Sequence, residues 1–437
     1  MSLFVQMFMM KRSENFLNKV PHFFSSILKK FMKILGNFYS PIYLQISLLL
    51  TLIGLLNLSI IAQPAEVYFR INVPEFEETF VIKITDPIKI QTARDILSGK
   101  LKDYNVGGII IKKPVCYNSP WSSYIDPDSV TFYQIAGEAC QSTIQFVEDN
   151  LSNFNEALSN RWCPTSKIIE EIPAPNCSKY SITTVNSASY RRSGIAADSI
   201  VSAFGQNLTT ATDSPKEMPL PISLAGTTVR VKDSQGVERM AQMLFASPAQ
   251  VNYLIPKGTA VGMAEVTITN SNGISSYGQI QIVSSSPDIF AANADGKGVA
   301  AALVQRVKAD GSMTYEPISR YDPVQKISVP VPIDLGADLG TKTDQVYLAI
   351  FGTGLGLQAL VVDANAVFSN AKISKDSIAI YAGPQNFYAG LDQVNVLLPR
   401  TLAGQGELNL QMTIQVKNIG TNTTVSRYTN IVKINVK

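Results

Sequence analysis

Residues 250–256 read QVNYLIP, and residues 393–399 read QVNVLLP. In both copies apolar and polar side chains alternate up to a proline, a pattern typical of a half-buried β-strand that ends at a turn. Each copy leads into another alternating stretch, residues 265–268 after the first and 407–410 after the second. The repeat therefore predicts two related β-structures.

A second repeated motif supports this interpretation. The segment SIVSAFGQNL at 199–208 resembles QVYLAIFGTGL at 345–355, and both are surrounded by short alternating runs broken by Gly, Pro, Asn and Ser. Such punctuation is typical of β-sandwiches. We expect Phe204-Gly205 and Phe351-Gly352 to form a buried aromatic followed by a glycine bend, with a ligand role as the alternative.

The predicted domains follow from these patterns. A linker at 173–182 begins with Pro-Ala-Pro, and it is followed by one sandwich at 183–286 and another at 287–437. Residues 66–172 precede the linker and mix strand-like with helix-like patterns, which predicts a small α+β module. The expected fold class is multidomain: an N-terminal hydrophobic leader helix, one small α+β domain and two all-β sandwiches.

The leader is the stretch 42–62, which carries no charge in 21 residues and follows six basic residues and one acid. This order is typical of a secretory signal, which predicts cleavage after Ala62 and a protein that is secreted or held at the outer face of the cell envelope. An uncleaved membrane anchor and a buried soluble helix are the alternatives. Met32 offers a second possible start that would give a leader of ordinary length. The only membrane contact expected is through residues 1–62.

Charge argues against a nucleic-acid partner. Removing the six basic residues and one acid of 1–62 from the totals of 37 and 34 leaves 31 and 33, a net charge near −2. A nucleic-acid surface needs a concentrated basic patch, and beyond Ala62 only Lys112-Lys113 approaches one.

Histidine chemistry is excluded from the exported part, because the only histidine, His22, lies in the leader. Neither a Ser-His-Asp triad nor a His-ligated metal site can be built without it. A carboxylate pair of the glycosidase type remains open, and Glu138, Glu148 and Asp149 are the acids considered for it.

Four cysteines lie close together in the α+β module and its linker: Cys116, Cys140, Cys163 and Cys177. In an oxidising compartment an even number favours structural disulfides, and three pairings are possible. Free buried thiols and a catalytic or metal-binding role are the alternatives.

The same module resembles a known family. Its motifs FVIKITDP (80–87), ARDILSG (93–99), YNSPWS (117–122) and RWCP (161–164) look like a small exported module that is labelled "calmodulin-binding-protein-like" in bacteria. The match implies the fold of about 100 residues. The label is not carried over, because calmodulin targets are usually basic amphipathic helices and none follows the leader.

The resemblance also implies one pairing of the cysteines. Members keep cysteines that match Cys140 and Cys163, which makes these two the expected bridge and leaves Cys116 to pair with Cys177.

Four residues of the module form a hypothetical ligand surface. Trp121 and Trp162 can stack on a sugar ring, and Asp126 with Asp128 can bind calcium through a turn; no other cofactor is expected. The alternative is that each tryptophan packs in the core and that Asp-Pro-Asp-Ser is an ordinary turn.

The C-terminal half has a resemblance of its own. With the repeats above, the motifs VNSASY (185–190), SPAQ (247–250) and PDIF (287–290) look like the paired Ig-like C-terminal module frequent in exported acidobacterial proteins. Residues 293–298, NADGKG, can bind a cation or a phosphate, or form a hairpin turn, which their incomplete spacing favours.

Together these features favour a non-catalytic binding or adhesion protein that presents the α+β module on sandwich domains. The expected partner is an extracellular protein or a glycan. A polysaccharide-active enzyme, or its accessory domain, is the alternative.

Overall fold

Most of the described chain is β-structure. The computed structural model describes residues 66–73, 77–154, 156–175, 177, 179, 181–308, 310–335, 345–356, 359–418 and 424–437. The predicted leader helix at 1–62 lies outside these residues. Within the described segments, no helix has the length and apolar character needed to cross a membrane.

The first module contains seven strands and two α-helices. The strands are β1 Val67–Val73, β2 Glu78–Ile84, β3 Asn105–Ile111, β4 Tyr124–Ile125, β5 Thr131–Tyr133, β6 Arg161–Trp162 and β7 Lys167–Ile172. The helices are α1 Pro87–Leu97 and α2 Ile144–Asp149. One antiparallel sheet has the order β2-β1-β7, and a second has the order β4-β3-β5 with β6 also paired to β3.

The start of α1 illustrates how local sequence sets these bounds. Asp86 Oδ1 accepts hydrogen bonds from the backbone amides of Ile88 at 2.7 Å and Lys89 at 3.3 Å, which satisfies donors that lack a partner within the helix. Pro87 occupies the first helical position, where a missing N–H has no cost. Gly99 follows the helix with a φ of 77°, a left-handed conformation that favours glycine.

The first sandwich packs two sheets around one core. Its strands are β8 Thr183–Asn186, β9 Ile195–Ala196, β10 Ile200–Phe204, β11 Ser223–Leu224, β12 Thr227–Lys232, β13 Glu238–Met240, β14 Met243–Ala246, β15 Gln250–Leu254, β16 Gly262–Thr269 and β17 Ser275–Val283. One sheet has the order β14-β15-β10-β8 and the other β11-β12-β16-β17-β9, with β13 on β12. Val201 and Tyr253 of the first sheet share a buried cluster with Val229 and Ile268 of the second.

The second sandwich has one continuous sheet that pairs β25 with strands on both sides. Its strands are β18 Asp288–Ile289, β19 Ala302–Val307, β20 Met313–Pro317, β21 Ser319–Asp322, β22 Ile327–Pro330, β23 Gln345–Thr353, β24 Ala359–Ser369, β25 Ser374–Pro384, β26 Asp392–Leu397, β27 Gly406–Asn418, β28 Thr424–Tyr428 and β29 Val432–Val436. The order is β20-β19-β23-β26-β25-β24-β27-β28, with β18 on β23 and β29 on β27, while β21 and β22 form a hairpin. Leu348 and Val396 from one half meet Phe368 and Leu410 from the other in a single core.

The two repeated motifs have the same structure in both sandwiches. Phe204 lies opposite Gln250 across the β10–β15 pair, and Phe351 lies opposite Gln393 across the β23–β26 pair. In each copy the glutamine Nε2 donates to the asparagine two residues later, over 2.8 Å in both cases. The repeat found in the sequence is therefore a repeat of strand register and of side-chain bonding.

The expected buried Phe-Gly bend is wrong in two respects. Phe204 is 36% exposed, and Gly352 lies inside β23 rather than at a bend. Both glycines are required by close approach instead, because a Cβ on Gly205 would lie 2.8 Å from Leu208 Cδ2 and one on Gly352 would lie 2.4 Å from the Asp288 carbonyl oxygen.

Candidate ligand-binding groove

An open groove of about 660 Å³ lies on the first sandwich. Its volume falls within the usual range of small-molecule sites, about 300–1,000 Å³. Its lining combines aromatic, hydroxyl, amide and cationic side chains: Ser181, Thr183, Val185, Tyr190, Arg192, Phe204, Gly205 and Gln206.

The floor of the groove comes from two paired strands. Phe204 of β10 lies directly opposite Thr183 of β8. Because side chains two apart share one face of a strand, Val185 lies on the same face as Thr183. β8 is the last strand of its sheet, so this face lies at the sheet edge.

Two aromatic side chains face the groove at an angle to each other. The rings of Tyr190 and Phe204 have centroids 6.2 Å apart and planes inclined by 43°, and each residue is 36% exposed. Tyr190 has a φ of 59°, an uncommon conformation for a non-glycine residue, and its amide donates to the Asn186 carbonyl oxygen over 2.9 Å. A turn thus holds this ring beside Phe204.

Arg192 provides the positive charge of the groove. It is half-buried, and among the described residues its guanidinium has no hydrogen-bond or salt-bridge partner, although its charge lowers the pKa of Glu148 in the first module. The groove lining contains no carboxylate among the described side chains. The donors of the guanidinium are therefore available to an anionic ligand.

The segment that supplies Tyr190 and Arg192 is anchored by its alternate residues. Ser189 Oγ donates to Asp288 Oδ2 over 2.5 Å, and Arg191 Nη2 donates to Asp288 Oδ1 over 2.7 Å. Ser189 and Arg191 thus bind the second sandwich, whereas Tyr190 and Arg192 line the groove. The chain alternates between an internal anchor and a ligand-facing side chain.

Arg191 joins all three structural parts. Its Nη1 lies 3.0 Å from Asp149 Oδ2 of the first module, and its Nη2 also donates to the Tyr428 carbonyl oxygen over 3.2 Å. Asp288 accepts a further bond from the Asn430 amide over 2.9 Å. We call Arg191, Asp149, Asp288, Glu78 and Arg427 the junction cluster.

The remaining members of the junction cluster are a buried acid and a buried base. Burial raises the pKa of the Glu78 carboxyl to about 7, although the charges of Arg427 and Arg191 lower it. Arg427 Nη2 lies 3.6 Å from Glu77 Oε2, and that same oxygen accepts from the Ser284 amide over 2.8 Å. These contacts connect β2 of the first module to both sandwiches.

The structure places the two predicted sugar-stacking residues in the core. Trp121 is 1% exposed and Trp162 is 0% exposed, so the hypothesis that they stack on a sugar ring is wrong. Trp121 Nε1 donates to the Thr79 carbonyl oxygen over 2.7 Å, and Trp162 Nε1 donates to the Ser142 carbonyl oxygen over 3.0 Å. Satisfied indole donors of this kind are typical of packed core tryptophans.

Asp126 and Asp128 lie in one turn outside the groove. Asp126 Oδ1 accepts the Asp128 amide over 3.2 Å and so caps the 3-10 turn Pro127–Ser129, while Asp128 is exposed. Among the described residues, no group of three or more His, Cys, Asp or Glu side chains is placed to hold a metal ion. Calcium binding at this turn stays a prediction.

All four cysteines form disulfides in the pairs that the family resemblance implied. Cys140 is bonded to Cys163 with a Cα–Cα distance of 5.3 Å, and Cys116 is bonded to Cys177 with a distance of 5.4 Å. The second bridge ties the chain after β7 back to the turn that follows β3.

The three acids considered for catalysis have different environments. Glu138 is exposed, and Asp149 pairs with Arg191. Burial raises the pKa of Glu148, whose Oε1 accepts from Ser123 Oγ over 3.0 Å and from the Ser122 amide over 2.9 Å. Glu148 and Asp149 therefore bind other parts of the protein.

The loop at 293–298 forms a turn. The Ala292 amide donates to the Val299 carbonyl oxygen over 2.8 Å, which closes the hairpin. Asn293 holds the loop to Ser328 through two hydrogen bonds of 2.9 and 2.6 Å. The hairpin interpretation of this sequence agrees with these contacts.

A cleft of about 260 Å³ lies between the sandwiches and contains two carboxylates, Asp198 and Asp392. Burial raises the pKa of Asp392 to about 7, and the charge of Asp198 raises it further, whereas bonds from the Leu355 and Gly354 amides lower it. Burial also raises the pKa of Asp198, against the effect of Lys257. Asp392 Oδ2 accepts from the Leu355 amide over 2.8 Å.

Sequence reasoning did not single out Tyr190, Arg192 or the Asp198–Asp392 pair. Tyr190 ends the motif VNSASY, and Arg191-Arg192 follow it directly. Two adjacent arginines after an aromatic residue were the available signal. Nothing local shows that one arginine is buried and the other is free.

Comparison with known proteins supports the first module. Residues 65–175 match the family model of the BP-74 N-terminal domain. The match covers about a quarter of the chain and includes both helices and the strands β1 to β7. No curated protein matches the chain.

Proposed function

We propose that this chain is an exported, non-catalytic binding protein that holds a saccharide in the groove of its first sandwich. The observation that carries the proposal is the exposed pair Tyr190 and Phe204 beside the unpaired guanidinium of Arg192. Aromatic faces provide apolar contact area at low entropic cost, and nearby polar groups fix the orientation of a ligand. The groove offers both within one site.

Two features support export. Residues 42–62 have the composition of a secretory signal or an anchor. The two disulfides suit the oxidising conditions outside the cytoplasm. We therefore propose that the protein is secreted or held at the outer face of the cell envelope.

The paired sandwiches fit the role of a scaffold. We assign both to the Ig-like class on the basis of their repeated register, and this assignment belongs to the proposal. The junction cluster fixes the first module to both of them through Asp149 and Arg191. In this arrangement the groove is presented on a braced support.

The proposal is tested by removing one ring. The purified full-length protein is titrated with soluble glycans, and Phe204→Ser is compared with Phe387→Ser, which removes an 83% exposed ring from the second sandwich. We expect Phe204→Ser to weaken glycan binding several-fold to about tenfold, and Phe387→Ser to leave it unchanged. Glycan binding that survives Phe204→Ser would remove the groove from the proposal.

A polysaccharide-active enzyme is the second candidate, and the Asp198–Asp392 cleft favours it. Two carboxyl groups with raised pKa values in one cleft are a recognised arrangement for acid–base chemistry. Glycan turnover that is lost in Asp392→Asn and kept in Asp376→Asn, an exposed acid on β25, would establish this alternative. Binding without turnover would favour the first proposal.

A further inference from the structure

We propose that the groove selects saccharides that carry an anionic group on the sugar ring, with the anion bound by Arg192 and the ring bound by Phe204 and Tyr190. This inference rests on the proposed function and adds the chemical class of the ligand. It covers carboxylated and sulfated sugars alike, because a guanidinium binds either anion through paired N–H donors.

The charge of the groove carries the first step. Arg192 is the one charged side chain in the lining, and no described carboxylate lines the same space. A half-buried guanidinium without a hydrogen-bond partner loses part of its hydration and gains little in return. An anionic ligand group supplies the missing hydrogen bonds, and a neutral sugar supplies weaker ones.

The aromatic pair carries the second step. The two rings are inclined by 43° with centroids 6.2 Å apart, so they form an open corner and cannot both stack on one flat group. A pyranose ring presents C–H bonds on its faces and can contact both walls of such a corner. The hydroxyl groups of Ser181 and Thr183 and the amide of Gln206 line the same space and can bond sugar hydroxyls.

The anchoring of Arg191 carries the third step. Arg191 is held by Asp149 and Asp288 over 3.0 and 2.7 Å, and its two neighbours, Tyr190 and Arg192, both line the groove. Because the anchor fixes the backbone between them, the ring and the guanidinium keep a defined spacing. Such preorganisation reduces the entropic cost of binding.

The test measures affinity for three probes with the purified full-length protein. Polygalacturonate carries carboxylates, its fully methyl-esterified form carries none, and dextran sulfate carries sulfates. Each is titrated against the wild type, Arg192→Gln and Lys216→Gln, where Lys216 is an exposed cation of the first sandwich that does not line the groove. An unchanged unfolding midpoint shows that Arg192→Gln is folded.

We expect one or both anionic polymers to bind more tightly than the ester, and Arg192→Gln to weaken that binding about tenfold or more. Lys216→Gln should have the small effect of one distant surface charge. The preferred polymer identifies carboxylate or sulfate as the anion.

Two results would overturn the inference, and they are distinguishable. Equal binding of ester and acid that depends on Phe204 and not on Arg192 would retain the saccharide groove and reject anion selection. Absence of binding to all three polymers and to neutral glycans would reject the proposed function as well.

Discussion

Arg191 of the first sandwich lies 2.7 Å from Asp288 of the second, between Nη2 and Oδ1, and the Asp288 side chain is fully buried. Two charges brought out of water in this way depend on each other, because either one alone would be left uncompensated. The pair therefore couples the stability of the two sandwiches.

Substitution Asp288→Asn should lower the free energy of unfolding by roughly 3–5 kcal/mol, the usual cost of breaking a buried ion pair. Urea denaturation followed by fluorescence measures the change. Asp376→Asn, on the exposed face of β25, is the control and should change stability little. Equal effects of the two substitutions would show that the Arg191–Asp288 pair contributes nothing specific.

Glu78 gives the protein a defined pH dependence. Its pKa is raised by burial from 4.5 to about 7, so the folded protein holds this proton more tightly than the unfolded chain does. The resulting stability is complete below pH 4.5 and is lost as the pH rises to about 7. Carboxylates with lowered pKa values, such as Glu171, act in the opposite direction and at lower pH.

Urea titrations at several pH values between 4.5 and 7.5 test this expectation. Glu78→Gln should remove up to about 3 kcal/mol of the decline in stability over that range. Glu138→Gln, an exposed acid of the same module, should leave the decline as it is. An unchanged pH profile in Glu78→Gln would contradict the assignment.

The two disulfides should differ in what they contribute. They close chain separations of 23 residues between Cys140 and Cys163 and 61 residues between Cys116 and Cys177. In the chain-entropy view, replacing both cysteines of a bridge by serine costs about 3 kcal/mol for the shorter loop and about 4 kcal/mol for the longer one. Denaturation of the two double variants without reductant compares them, and the reverse order would argue against loop entropy as the main effect.

The two Phe-Gly motifs provide a matched pair of substitutions. Gly352→Ala brings a Cβ within 2.4 Å of a backbone carbonyl oxygen, that of Asp288, whereas Gly205→Ala meets the flexible side chain of Leu208 at 2.8 Å. Backbone yields less readily than a side chain. We expect about 1–3 kcal/mol of destabilisation for Gly352→Ala and less for Gly205→Ala, as measured by urea denaturation. A larger loss at Gly205 would contradict this account.

The parts of the fold that sequence predicted are those with local causes. Alternation in QVNYLIP and QVNVLLP is set by the strand itself, and the Asp86-Pro87 helix start is set by neighbouring residues. The pairing of Cys140 with Cys163 came from a family resemblance, since the cysteine count alone allowed three pairings.

The groove could not be predicted in this way, because its parts meet only after folding. Phe204 joins Thr183 through strand pairing, and Arg191 is fixed by partners 42 and 97 residues away. The tryptophans show the converse: the residues around Trp121 and Trp162 do not indicate which side of the sheet faces solvent. Burial is a property of the whole module.

The repeated register has a consequence for valency. Phe351 is the counterpart of Phe204, but its backbone bonds to Phe290 and Ala301, so additional chain occupies the place where the first copy has its groove. Within the described residues, duplication has left one copy to attach and the other to hold. A protein with one attachment point gains avidity on a polymer only when several molecules are clustered, which a surface-anchored population would provide.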